Sequence, residues 1–410
     1  MMIIDPKRLP AGSAAMLAAM VAATLLLTAC SGGGGGADTK TGFGGSGDPP
    51  LPTNALTAAG PLSTVGVAGI AATGLDDRAS PIFINTQAGQ PFTALKLGMV
   101  AEVTGTIPTN STSTTPGTAT NIIVESAVVG PVSSVDLANQ RVILLPLTVQ
   151  IDQNTIFEAL SSLASLSAGM RVEVYGLPQQ ESKTILATRL ISLPAVSGAT
   201  VELLGTATSV SAFQFTLQGV TVSTGTLASV TTPTGIVPGT SSIIENARVR
   251  AAGNYSVGSN SMIASQIVTG IPVIRNDNTN MVLDGIVQSV GANGRFRLNE
   301  TDVETTAANA ATATIGSRVQ VKGVRTAGVL VATDFRRIGV GERLQFVVQG
   351  EIANLVSVAN FSVRGESINA SAATFVGGTA ADLINGRTVR IKAQASAGRL
   401  EATEVSFVVS

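Results

Sequence analysis

No histidine occurs in the 410 residues, and that absence removes the imidazole general base, the Ser-His-Asp arrangement and the commonest zinc ligand together. A single cysteine, Cys30, excludes any disulfide within the chain, so stability must come from packed cores alone. Tryptophan is missing, and two tyrosines accompany 12 phenylalanines, which argues against the stacking platforms on which single-stranded nucleic acids and sugars rest. Charge is scarce as well: 25 basic against 26 acidic side chains give a formal net charge of −1, too little for a polyanion-binding surface. No glycine-rich loop opens a helix to cradle phosphate, because the glycine run at 32–36 sits in a segment without helical pattern. Neither a cofactor, a nucleic-acid partner nor an enzymatic activity is therefore expected. What remains, 44% hydrophobic and 12% charged residues with the polar share held largely by Ser, Thr, Asn and Gln, suits a β-rich protein.

The first thirty residues carry the strongest signal. Lys7 and Arg8 precede an apolar run over 14–29 that ends at Cys30, the layout of a secretory signal peptide over 1–29. Leu27-Thr28-Ala29-Cys30 resembles the bacterial lipobox, which implies cleavage before Cys30 and acylation, as by palmitate, on its sulfur. The apolar run is at the short end of the roughly 20 residues a spanning helix needs and is rich in alanine. A buried structural thiol fits no better, since the glycines after Cys30 offer nothing to bury it. Residues 30–61 are Gly, Pro, Ser, Thr and Asp in the main and are expected to form a flexible tether with a reach on the order of 30 Å. Ser31 follows the cysteine where an inner-membrane lipoprotein of enteric bacteria tends to carry aspartate, so the outer membrane is the expected address.

Three short patterns then recur in fixed order, the signature of repeated units. The first places a glycine in an alternating apolar run, with Gly69, Gly130, Gly205, Gly285 and Gly350 as its copies. The second is an eight-residue strand bounded by glycine, as in Gly98-Met99-Val100-Ala101-Glu102-Val103-Thr104-Gly105, with copies at 169–176 and 316–323 and weaker ones at 246–253 and 386–393. The third is Ala, Thr or Ser, any residue, then an apolar one: Ala119-Thr120-Asn121-Ile122, Ala187-Thr188-Arg189-Leu190, Ala264-Ser265-Gln266-Ile267, Ala332-Thr333-Asp334-Phe335 and Ala402-Thr403-Glu404-Val405. In Arg318-Val319-Gln320-Val321-Lys322 the period of two puts valines on one face and polar residues on a solvent face. The same alternation in Phe213-Gln214-Phe215-Thr216-Leu217 marks the phenylalanines as core. Residues 157–170, with Leu160, Leu163 and Leu166 at helical spacing, predict the one helix of any length.

The succession of these patterns resembles the repeat of the domain-of-unknown-function family 5666, which occurs in exported bacterial proteins and lipoproteins. The resemblance implies an all-β fold of five tandem small OB-like β-barrel units, at 62–125, 126–196, 197–273, 274–340 and 341–410. Asn246 in place of glycine, Ala393 in place of glycine and a Ser/Thr-rich insertion over 106–118 depart from the pattern and put local turns in question.

Two constellations invite a sharper reading. If 299–304 is a strand, Glu300, Asp302 and Glu304 line one face and could hold a hard cation such as calcium, yet calcium sites need a loop that wraps the ion, so a wetted strand face is the ordinary explanation and no metal is expected. Arg295 and Arg297 flank Phe296 and could make a local positive patch, for which a solvated face is again the simpler account. Asp76-Asp77, the closest acid pair, lies in a turn-like Gly74-Leu75-Asp76-Asp77-Arg78. The expected function is a membrane-anchored envelope scaffold or protein-interaction module with an unidentified envelope partner. The alternative is a ligand-binding protein that takes glycan, oligonucleotide or cation on an OB-like face.

Overall fold

The computed structural model describes residues 3–4, 55–65, 71–73, 84–86, 95–106, 117–179, 183–196, 200–225, 229–232, 235–238, 243–269, 277–298 and 301–408. The fold is all-β, and the strands form small closed barrels gathered into two hydrogen-bonded sheets.

Alternation produces the strands as expected. Val100–Thr106 and Thr388–Ser396 bury every second residue, and the buried set of each points into a barrel. Within 126–196, Val128–Asp136 pairs antiparallel with Arg141–Leu144, which pairs with Leu147–Gln150. Leu147–Gln150 runs parallel to Thr184–Ser192, whose antiparallel partner Arg171–Gln179 returns to Val128–Asp136 and closes the circuit. The order first-second-third-fifth-fourth-first is that of a small OB-like barrel. The same circuit runs through Asn280–Val290, Arg295–Leu298, Thr301–Glu304, Val329–Arg337 and Arg318–Thr326. It recurs through Phe346–Ser357, Asn360–Val363, Glu366–Asn369, Arg399–Phe407 and Thr388–Ser396.

Each recurrent sequence pattern has a separate physical cause. Two residues before the fourth strand the backbone turns left-handed: φ is +75° at Gly98, +87° at Gly169, +83° at Gly316 and +84° at Gly386. Asn246 holds the same place at φ +64°, and asparagine is among the side chains that tolerate it best, so the turn survives the substitution. The glycine that ends the pattern marks a β-bulge instead. Register slips between Lys322 and Gly323, where Gly323 faces Ala332 while Lys322 faces Asp334, leaving Thr333 as the extra residue. Slips at Gly105, Gly176, Gly253 and Ala393 leave Thr120, Thr188, Ser265 and Thr403 in the same position. The hydroxyls of Thr333, Thr403 and Ser265 donate to the carbonyls of Lys322, Lys392 and Ala252 across the bulge. That hydrogen bond is why the third pattern asks for Thr or Ser after alanine. The first-strand glycine clears room for the turn that folds back over it: a methyl on Gly205 would lie 3.0 Å from Gln218 Cγ, and one on Gly350 2.8 Å from Arg364 Cγ.

The barrels are not separate beads. The first strands pair with one another: Glu202 and Leu203 lie opposite Val129 and Val128, Leu56 to Ala59 run parallel to Asn280 to Leu283, and Thr64 and Val65 parallel to Val347 and Val348. A core cluster accordingly joins Leu56, Leu62 and Val103 to Phe361, Ile391 and Leu400 from the far end of the chain.

Several expectations are corrected. The Ala55–Val65 strand runs across the tether boundary placed at 61, and Gly60 supplies the first-strand glycine; the segment expected in that role, Val67-Ala68-Gly69-Ile70, lies outside the described residues. In place of a helix over 157–170, the chain forms the strand Ile156–Glu158 and a single 3₁₀ turn, Leu163–Ser165, because Ala159 sits at φ +57° and serines interrupt the segment. Phe213 is exposed, whereas Phe215 and Leu217 are core. Arg318 and Gln320 are buried rather than solvated, for a reason given below.

The bulge yields a test. A methyl on Gly323 would sit 2.0 Å from the Val331 carbonyl oxygen, whereas one on Gly258 meets nothing within 4 Å. Gly323→Ala is expected to destabilise the chain by about 1–3 kcal/mol in urea unfolding, and Gly258→Ala to leave it unchanged or slightly stabler. Equal midpoints for the two variants would refute the packing argument.

Candidate functional site

Leu27, Thr28, Ala29 and Cys30, together with Asp76 and Asp77, lie outside the described residues, as does Glu300. Asp302 and Glu304 do share an exposed face of the Thr301–Glu304 strand, with Val303 buried between them. Their cross-strand neighbours are Arg297 and Arg295. Arg295 Nη2 lies 2.7 Å from Glu304 Oε2 and Arg297 Nη1 3.5 Å from Asp302 Oδ1, so the acidic and the basic candidate neutralise each other. Such exposed pairs contribute about 0–1 kcal/mol. Among the described residues no group of three or more acids or thiols is placed to hold a metal ion, and no helix is long and apolar enough to cross a membrane.

The polar chemistry of the molecule is concentrated between barrels. Arg189, in the variable position of Ala187-Thr188-Arg189-Leu190, is only 1% exposed. Its Nε and Nη2 donate to Glu158 Oε2 at 3.0 and 2.7 Å, and its Nη1 donates to Glu366 Oε1 at 3.0 Å and to the Leu97 carbonyl at 2.7 Å. Lys96 pairs with Glu158, and the Leu97 amide donates to Glu366. Two cations and two anions drawn from segments 62–125, 126–196 and 341–410 thus meet in one neutral cluster. Thr188 adds a 2.6 Å hydrogen bond to the Gly98 carbonyl, and a methyl on Gly98 would lie 2.5 Å from the Thr188 carbonyl oxygen. Nearby, the Asn154 amide accepts from the Leu344 backbone at 2.7 Å and donates to the Glu342 carbonyl at 2.9 Å. Burial pushes the Glu158 carboxyl up, but Arg189 and Lys96 bring it below its ordinary value of 4.5. Burial likewise opposes the Arg189 charge, and Glu366 and Glu158 outweigh it.

Two further clusters follow the same design. Asp284 accepts both Arg318 Nε and Nη2 at 2.8 Å and Gln320 Nε2 at 2.9 Å, which explains why those polar side chains are buried. Gly60 passes over this pair: a Cβ there would lie 2.7 Å from that of Asp284. Glu125, 5% exposed, sits 2.6 Å from Arg248 Nη2 and 3.6 Å from Arg250 Nη2, tying segment 62–125 to 197–273. Sequence periodicity could not find Arg189, Arg248, Asp284, Arg318 or Gln320, because each alternates with core residues and so faces solvent in a lone barrel.

A cavity of ≈ 400 Å³ opens beside the Glu125 cluster, where four segments meet. Its lining includes Glu102, Glu125, Arg248, Gln218, Gln288 and Thr301 amid small apolar residues, and among the described residues no aromatic side chain lines it.

The model of a domain of unknown function (DUF5666) matches residues 129–190 and 349–406, each span running from the first strand of a barrel into its last. No curated protein gives a significant match to the chain.

Arg189→Met leaves two sheltered carboxylates facing an apolar side chain and is expected to cost about 3–5 kcal/mol; adding Glu158→Gln and Glu366→Gln should restore most of it. Urea unfolding of the three-fold variant no better than that of the single one would contradict a charge-based cost. Because the folded Glu158 value is depressed, its contribution is complete above about pH 4.5 and is lost as pH falls through the lowered value. Thermal unfolding of Glu158→Gln should therefore lose its difference from the parent on acidification below that point.

Proposed function

We propose that this chain is a non-enzymatic scaffold of the cell envelope. Lipid on Cys30 anchors it, residues 30 to about 54 form the tether, and five small barrels form one interlocked body that presents its outer faces to an envelope protein. The observation that carries this reading is the use of the sheltered acids: Glu125, Glu158, Asp284 and Glu366 are each spent on an arginine that joins strands or barrels, not held open toward a substrate. Buried ion pairs of this kind are better suited to fixing a unique arrangement than to adding stability, which is what a scaffold requires. The absence of histidine throughout the chain agrees with it. The signal-like N-terminus supports the address, with the outer membrane favoured by Ser31.

Two measurements test this reading. The full chain expressed in a bacterium should incorporate labelled palmitate and sediment with outer-membrane fractions, and Cys30→Ser should abolish the label and release the chain from the membrane. Label that persists in Cys30→Ser would remove the anchor. In-cell crosslinking should trap a discrete stoichiometric envelope partner, and failure to do so, together with an unaltered envelope in a deletion strain, would remove the scaffold role.

A further inference from the structure

We infer that the last strand of the fourth barrel carries an open edge that takes an extended, phenylalanine-bearing segment of a partner protein as an added parallel strand. The sister barrels show what belongs there. In the second barrel Ile156–Glu158 runs parallel to the last strand, with Phe157 beside Leu190, and in the fifth Thr374–Val376 does so, with Phe375 beside Val405. In the third, Thr231 of Ser229–Thr232 lies beside Val268. The equivalent residues of the fourth barrel are Asp334, Phe335 and Arg336 in the strand Val329–Arg337. The edge of that strand turned away from Arg318–Thr326 pairs with Thr301–Glu304 only as far as Val331, and among the described residues no strand lies beside 334–336 on that side. Between Glu304 and Arg318 the chain instead forms the short helix Ala307–Ala310, which buries none of its residues and so does not pack down on the edge.

The missing strand leaves a mark on the core. Leu190, Ile267 and Val405 are each no more than 1% exposed, whereas Phe335 at the same place is only partly buried and meets Phe296 edge to face, with ring centroids 6.0 Å apart. Parallel neighbours in register point to the same face, so Phe157 and Phe375 lie beside core residues, and both pack against the cores of their barrels. An incoming strand therefore meets a row of backbone donors and acceptors and one apolar position, beside Phe335, suited to a phenyl ring. A second copy is a poor donor, because its own strands of this kind already cover its own barrels. The inference rests on the scaffold reading, for which it names the docking edge and the chemistry of the partner segment, an extended strand with a central phenylalanine.

Fluorescence anisotropy of a labelled peptide, Asn-Thr-Ile-Phe-Glu-Ala, the sequence of residues 154–159, with the full chain bearing Cys30→Ser tests the edge. Saturable binding is expected, weakened tenfold or more when the peptide's phenylalanine is replaced by serine and when Phe335→Ala is made in the protein. N-methylation of one alternate set of peptide amides should abolish binding and of the other set should spare it, since an added strand offers only one of its edges. That readout needs no change in the protein, so it holds even where Phe335→Ala unfolds the fourth barrel. No saturable binding, equal effects of the two N-methyl sets, binding indifferent to Phe335→Ala in a folded chain, or a dimer of the free chain that Phe335→Ala dissociates would each overturn the proposal. Peptide binding without a crosslinked envelope partner would fail the scaffold reading and not the edge, whereas a partner trapped equally well by Phe335→Ala would fail the edge and not the scaffold.

Discussion

Five strands closing in the order first-second-third-fifth-fourth-first leave one flaw, and the assembly is built on repairing it. The first strand must serve two neighbours, and it does so along different halves: Val128 to Pro131 pair with the fourth strand, Val132 to Asp136 with the second. The early half therefore has a second edge with no partner in its own barrel, an open row of backbone groups of the kind that invites pairing with another chain. This protein pairs those half-edges internally. Val128 and Val129 take Leu203 and Glu202, Leu56 to Ala59 take Asn280 to Leu283, and Thr64 and Val65 take Val347 and Val348. Ala55–Val65 has two such partners, and its small side chains and Gly60 let neighbouring backbones come close on either side.

Backbone pairing alone does not specify which barrel meets which, because every first strand offers much the same edge. The buried charges supply that discrimination. A guanidinium enclosed like that of Arg189 is costly to bury in any arrangement that fails to bring Glu158 and Glu366 to it, so misdocked barrels carry an uncompensated charge. Glu125 with Arg248 imposes the same demand elsewhere, whereas Asp284 and Arg318 sit on paired strands of one barrel and fix that barrel's own face. Hydrogen bonds across the strand edges give cohesion, and the ion pairs select the partner.

Much of the barrel could be read from the sequence, and little of the assembly. Period-two burial in Val100–Thr106 or Thr388–Ser396 follows from side-chain alternation, and the recurrent glycines marked real features. Their reasons were legible only in part. A positive φ accounts for Gly169 and Gly316, but Gly253 and Gly323 answer to the crowding of a bulge, which needs the partner strand in view. The first strand at Ala55–Val65 was masked by small residues and a proline that blend into the tether composition. Its Gly60-Pro61 dipeptide, in the register that Gly130-Pro131 takes against its own fourth strand, was the available clue. Arg189 offered none: the copies at its place are Asn121, Gln266, Asp334 and Glu404, a spread that reads as solvent.

That spread shows how a repeat acquires individuality. Positions common to the copies, the left-handed turn, the bulge and its hydroxyl, are those a single barrel needs in order to close. Positions free to vary in one barrel are those that a second barrel covers, and there the copies part company. Arg189 lies buried among three segments, whereas Gln266 and Asp334 at the equivalent place are exposed. Asp284 anchors a buried cluster where the residue before the glycine is Val129, Leu204 or Gln349 in other copies. The residues that distinguish one copy from the next are therefore where this chain's specific contacts reside, Arg189 on Glu366 and Arg248 on Glu125 among them.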